Sequence, residues 1–253
     1  MTHAPVRGAM ASRARLAIAR ELARDIRAKE GGNLVAVGVY GSAAQGTDRR
    51  FSDVDMLVIV RRKRGRLRPQ MRGGTLVTFL QLTPDEAREE VLGTRADLGE
   101  ALGGWRSLRI LDDPGRLLAR LRRHAHRPSP ERFREAARLG LLETYEDYGK
   151  LRNAVASGDR DEMREMAIWF TGAAHRVVFD LAREVLSTGR RAFIELKRHG
   201  ALGRDIRALR YGPHTSAETV RLADRIWKGL LARARRQGIP LPEFDEGGPA
   251  GRL

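Results

Sequence analysis

The rhythm of apolar positions changes once along the chain. In the first half they come in short runs. Leu34 to Val39 is compact and rich in β-branched residues, and it closes on Tyr40-Gly41-Ser42, which predicts a buried strand entering a tight turn. Asp53, Asp55, Leu57 and Ile59 then alternate with Val54, Met56, Val58 and Val60, a second strand that carries both aspartates on one face. Thr75 to Leu82 and Ser107 to Leu111 predict a third and a fourth strand. Between them Thr83 caps a helix that has Pro84 at its first position and Glu86 closing a capping box. Gly93 to Gly104 reads as a glycine-rich loop, and Asp112-Asp113-Pro114 starts a helix. Leu16, Ile18, Leu22 and Ile26 give the N-terminal segment the spacing of an amphipathic helix.

After residue 128 the period is helical almost to the end, which places a domain boundary near His126 to Ser129. Ser129-Pro130-Glu131 opens a long helix to about Ser157. Gly158-Asp159 caps a second helix, running to about Ser187, whose middle (Met166 to Ala174) is apolar nearly all round and reads as bundle core. A shorter helix covers Ala192 to Arg198. Gly203 to His214 reads as partly helical at best, and Thr215 caps a last helix to about Arg236. The stretch after Gly238 reads as loose. No internal repeat is present. The fold class is thus α+β, with domains at 1–127 and 128–253.

The chain has 253 residues, enough for a large domain or two ordinary ones. No run of 18 apolar residues and no signal-like N-terminal segment occurs, so a cytoplasmic protein is expected. The absence of cysteine excludes disulfides, thiolate catalysis and Cys-ligated zinc. A net charge of +16 points to polyanionic partners, although an arginine-rich thermophilic or GC-rich composition gives the same balance. Seven Arg or Lys and no acid fall in residues 61–74. This run reads as a solvated hairpin loop, with a nucleic-acid- or phosphate-facing patch as the alternative.

The candidate chemistry lies between Val37 and Val60. Side-by-side carboxylates at Asp53 and Asp55 repel unless a cation sits between them, and hard oxygen ligands suit Mg²⁺. Gly41-Ser42 offers approachable backbone and a hydroxyl at a helix start, a place that favours phosphate. Together they describe a nucleoside triphosphate held over a divalent metal. A second cluster, Glu143, Glu146, Lys150 and Asn153, follows spacings of three, four and three along one helix face. In isolation it reads as a wet surface with an i,i+4 ion pair. Gly149 inside that helix costs roughly 1 kcal/mol against alanine, which suggests that something approaches it closely.

The strand, Gly41-Ser42, ten-residue spacer, Asp53-x-Asp55 and apolar strand together resemble the polymerase-β-like nucleotidyltransferase superfamily. With Glu146-x-x-Gly149-Lys150-x-Arg152-Asn153 added, the stretch from about Val35 to Ser157 resembles the kanamycin nucleotidyltransferases, aminoglycoside 4'-O-adenylyltransferases. That resemblance implies a small mixed sheet with flanking helices followed by an all-helical domain, and a homodimer with active sites at the subunit interface. It implies transfer of AMP from MgATP to an aminoglycoside hydroxyl. Gly41, Ser42 and Lys150 would then contact the nucleotide and Asp53 and Asp55 would hold Mg²⁺. Glu146 would be the general base. A polycationic acceptor also needs carboxylates in its pocket, which Glu143, Asp147, Asp97 and Glu100 could supply. Two departures stand out. The third strand has no carboxylate, the matching position being Thr78 or Phe79, and Gln45-Gly46 stand where an Arg is common. They leave open a nucleotide-binding module without catalysis, or an antitoxin-like nucleotidyltransferase acting on protein or RNA. Elsewhere His175 reads as a buried, hydrogen-bonded histidine, His124 and His126 as a basic helix end, and Trp105, Trp169 and Trp227 as core.

Overall fold

The computed structural model describes residues 6–186 and 189–241, with side chains from Ser12 onward (Arg190 excepted). It falls into two compact units. The first comprises Met1–Gly93 with Ala101–Arg127, and the second Thr94–Glu100 with Pro128–Leu253.

The first unit is a five-stranded mixed sheet. Its strands are β1 (Leu34–Tyr40), β2 (Val54–Val60), β3 (Gln70–Arg72), β4 (Thr75–Leu82) and β5 (Arg109–Asp112), ordered β3-β4-β2-β1-β5. Among the described residues β2 and β4 run parallel and the other neighbouring strands antiparallel. The helix α1 (Val6–Glu30) lays Leu16, Ala19, Leu22, Ala23 and Ile26 over one face of the sheet, against Val37, Val39, Met56 and Val58. A single turn, α2 (Gly41–Gln45), follows β1, while α3 (Pro84–Leu92), α4 (Leu98–Arg106) and α5 (Leu117–Ala125) complete the segment. The expected cap of α3 is present: Thr83 Oγ1 accepts from the Glu86 N–H and the Glu86 carboxylate from the Thr83 N–H.

Two segments differ from what the sequence predicts. Residues 61–74 are not all loop, because Gln70–Arg72 pairs antiparallel with Thr75–Val77 as β3. Gly93 to Gly104 is not all loop either. Leu98, Leu102 and Trp105 are buried at helical spacing and carry α4 despite its glycines. Gly99 is there for space, since a Cβ would stand 2.9 Å from the Glu184 carbonyl oxygen.

The second unit is helical: α6 (Pro130–Ser157), α7 (Arg160–Ala182), α8 (Gly189–Glu195), α9 (Gly200–Tyr211) and α10 (Ser216–Arg236). Its core joins Leu141, Tyr148 and Leu151 of α6 to Phe170, Val177 and Phe179 of α7 and Ile226, Trp227 and Leu230 of α10. Helix α7 stops at Ala182 rather than near Ser187, with Arg183 left-handed at φ 56°; Ser187 itself lies outside the described residues. Its middle is not buried all round, since Ile168 and Trp169 reach the surface and Trp169 is 50% exposed. A 23-residue helix packed along one side keeps a solvent face whatever its composition. Residues 203–211 are fully helical, because Leu202, Ile206 and Leu209 supply a buried stripe that outweighs Gly203. Of the stretch after Gly238, residues 242–253 lie outside the described residues, whereas Ile239 is buried against the bundle. No helix among the described residues is long and apolar enough to cross a membrane.

Candidate active site

The turn after β1 and the start of β2 meet at one row of the sheet. Tyr40 pairs with Asp55 across β1 and β2, and Asp55 pairs with Thr78 across β2 and β4, so all three side chains share the face opposite α1. Gly41 has φ +71°, and a Cβ there would strike Asp55 Oδ2. Only glycine meets both demands, and its bare backbone is what lets the turn close onto the carboxylate. Gly46 ends α2 in the left-handed region at φ 72°, its N–H bonding the Ser42 carbonyl. That backbone role accounts for a glycine where an arginine is common.

Thr78 Oγ1 donates to Asp55 Oδ1 at 2.8 Å. The position of the missing carboxylate is therefore Thr78; Phe79 pairs with Met56 and faces the other way. Burial pushes the Asp55 carboxyl above its ordinary value, the Thr78 bond partly offsets this, and the neighbouring Asp53 pushes it further up. Tyr40 reports the same field. Burial first, then Asp55, Asp53 and Glu90, push its phenol up to about 12. Among the described residues neither aspartate has a Lys or Arg partner, and no third acid or histidine joins them in a metal cage. Two hard carboxylates that lift a neighbouring phenol's pKa fit a divalent cation, the remaining positions falling to phosphate and water.

The segment presenting Asp53 is fixed from α1, which the amphipathic reading of that helix did not foresee. Arg15 is buried; it pairs with Asp48 at 2.5 Å and donates to the carbonyls of Ser52 (2.9 Å) and Arg50 (2.8 Å). Ser12 Oγ bonds Asp48 as well. Glu90 on α3 is the other residue that sequence reasoning missed. Nothing in PDEAREEVL singles it out, and only the fold brings its charge to bear on Tyr40.

In the second unit Glu143, Glu146, Asp147 and Lys150 lie on α6. Lys150 Nζ is 2.7 Å from Glu146 and 3.6 Å from Asp147, and it sits over the Trp169 ring at 5.6 Å. Glu146 is largely exposed. Asp147 is more enclosed, and burial before all else raises its pKa, with Lys150 opposing. Arg176 of α7 reaches Glu100 at 3.4 Å and Glu143 at 3.7 Å. Glu100 also takes His175 Nε2 at 3.0 Å, while His175 Nδ1 meets the Gly172 carbonyl at 2.5 Å, so His175 is the buried, bonded histidine expected. Arg152 pairs with Asp224 at 3.1 Å, and the Tyr148 hydroxyl donates to the same carboxylate at 2.5 Å. That pair holds α6 to α10. Trp105 and Trp227 are buried as expected.

Among the described residues nothing lies within 4 Å of where a Cβ on Gly149 would be. Packing therefore does not demand glycine there, and Gly149→Ala should stabilise the chain by about 0.5–1 kcal/mol, read as a shift in the urea midpoint.

Residues 19–106 match the family described as the nucleotidyltransferase domain. The chain carries a nucleotidyltransferase domain. It is an enzyme of that class, and domains of this kind use a nucleoside triphosphate and typically a divalent metal. The matched segment contains the Gly41-Ser42 turn, both aspartates and Thr78. Among solved structures, a nucleotidyltransferase-like protein from Exiguobacterium sibiricum 255-15 superposes with a TM-score of 0.56 at 12% identity, over 86% of this chain and 75% of that one. At that identity the likeness is one of fold. No curated protein matches the chain by sequence.

Proposed function

We propose that this nucleotidyltransferase moves the adenylyl group of ATP to a hydroxyl of a small polycationic molecule of the aminoglycoside class, releasing pyrophosphate. The observation that carries the reading is the Asp53–Asp55 pair beside Gly41, two carboxylates that no basic side chain among the described residues neutralises. A divalent metal bound there would neutralise charge on the triphosphate and polarise the phosphorus under attack. Gly41 and Ser42 hold the phosphates by backbone and hydroxyl, and Lys150 adds a point charge to them. Glu146 takes the proton of the acceptor hydroxyl as its oxygen bonds to the α-phosphorus. The bond to the β-phosphate oxygen breaks, and pyrophosphate leaves with its electron pair.

Support for a cationic acceptor comes from the second unit. Glu100 and Glu143 both stand on Arg176 and Asp147 feels the same guanidinium, so three carboxylates share that one arginine, with Lys150 beside Asp147 and His175 on Glu100. The open space at Gly149 suits the approach of an acceptor or of a second subunit, in keeping with a homodimer. A cytoplasmic location completes the reading.

Pyrophosphate release from MgATP, with and without kanamycin, tests it. Wild type should depend on the aminoglycoside, and Glu146→Gln should lose about 10²–10⁴-fold in kcat. Thr78 favours a second reading. A hydroxyl in place of an acid leaves the metal one anion short, so a nucleotide-binding module would bind ATP and release nothing with any acceptor.

A further inference from the structure

The basic run after β2 lies along the open edge of the sheet, and its course follows from the strand register. Arg61 leaves the far end of β2. The Leu67 N–H then meets Gln81 Oε1 at 3.2 Å, and Gln81 is level with Val58. Gln70 pairs with Val77, which is level with Val54, next to Asp53. Residues 61–67 therefore stay near the far end of β2, and residues 67–70 run back outside β4 to the aspartate end, about 13 Å along the strand.

All seven cations of the run are exposed. Three have partners: Arg61 donates to the Gly32 carbonyl at 3.0 Å, Lys63 meets Glu86 at 2.7 Å and Arg72 meets Asp25 at 3.8 Å. Arg62, Arg64, Arg66 and Arg68 have no carboxylate partner among the described residues. Edge protection explains a charge on the three-residue strand β3 itself, but not four more before it. At the aspartate end, two residues before Asp53, Phe51 is 89% exposed with the Arg50 guanidinium 5.1 Å from its ring centroid. Unneutralised arginines along the first part of this path, and an exposed ring under a cation at the aspartate end of β2, are the pairing that single strands use, with bases stacking and phosphates tracking the charges.

We infer that the surface from Arg61 to Arg68, reaching toward Phe51, is a docking track for single-stranded RNA. It holds whichever acceptor the enzyme modifies.

The test is fluorescence anisotropy of a labelled 20-nucleotide single-stranded RNA on the full chain, titrated with NaCl from 50 to 300 mM, over which the Debye length falls from about 14 to about 6 Å. Changing Arg62, Arg64, Arg66 and Arg68 together to Glu should weaken binding at least about 30-fold at 100 mM salt. It should also make the slope of log K on log [salt] shallower by about 3, at about 0.7 per phosphate contact. A matched variant, with Arg134, Arg160, Arg204 and Arg221 changed to Glu, carries the same net charge and should lose far less. Phe51→Ala should weaken binding about ten-fold and leave the slope unchanged, because stacking releases no counterions. Equal weakening by the two quadruple variants would assign the effect to global charge and overturn the track. So would absence of RNA binding by wild type at 50 mM salt. Loss of binding to phosphatidylserine vesicles in the loop variant, with RNA binding intact, would replace it with a membrane surface.

Discussion

Asp55→Asn should lower kcat for pyrophosphate release by about 10³-fold, equivalent to roughly 4 kcal/mol of transition-state stabilisation. The thermal midpoint at neutral pH should rise or stay level. The two expectations share one cause. Burial and Asp53 raise the Asp55 pKa in the folded chain. A raised acid favours the folded state while it is protonated, and that advantage is lost as pH climbs through the folded pKa. At neutral pH the ionised carboxylate is thus held against its preference, and a neutral amide relieves the repulsion from Asp53. Asparagine also keeps an oxygen for Thr78 Oγ1, which now donates to Asp55 at 2.8 Å. A variant that is dead yet no less stable separates loss of the metal's partner from loss of fold. Measuring kcat and the melting midpoint on the same preparation decides it, and a stable variant with wild-type kcat would remove Asp55 from the chemistry.

Asp180→Asn should produce the largest change in stability. Asp180 is 2% exposed near the end of α7, and neither carboxylate oxygen completes a hydrogen bond among the described residues. Burial pushes its pKa from 3.8 up to about 8. Asp97 and Glu100 push in the same direction, against Arg176 and the nearby Gly99 N–H. The folded chain therefore holds a proton that the unfolded chain gives up near pH 4. Stability is full below that value, falls between about pH 4 and pH 8, and is flat above. At 1.36 kcal/mol per unit the bare shift is an upper bound, and local relaxation trims it to roughly 3–5 kcal/mol. Asparagine should match wild type near pH 4 and exceed it by most of that amount at pH 8.5. Denaturant melts of the two proteins across pH 4–9 would show it; parallel curves would mean that Asp180 is solvated or paired at neutral pH.

How far the sequence carried depended on the range of the interactions involved. Period two placed β2, a compact β-branched run placed β1, and Thr caps at Thr83 and Thr215 placed the starts of α3 and α10, because those signals lie within a few residues of one another. Helices α4 and α9 were hidden because their glycines weigh against a helix, while the burial of Leu98 and Leu102, or of Leu202 and Ile206, is visible only in the fold. At the site the Gly41-Ser42 turn and both aspartates were legible as a motif. The supports were not. Arg15 reaches Asp48 across 33 residues, Thr78 reaches Asp55 across 23, and the charge of Glu90 arrives at Tyr40 from another helix. The exposed Trp169 was misjudged because apolar character alone does not say which face of α7 packs inward.

Asp53 and Asp55 together should hold a divalent metal beneath a nucleotide. Mn²⁺ binding, followed by electron paramagnetic resonance with and without a non-hydrolysable ATP analogue, tests it most directly in wild type and in the Asp53→Asn, Asp55→Asn double variant. Wild type should bind Mn²⁺ more tightly when the analogue is present, and the double variant should lose both the bound signal and that enhancement. An unchanged bound signal in the double variant would contradict the claim and place the metal elsewhere.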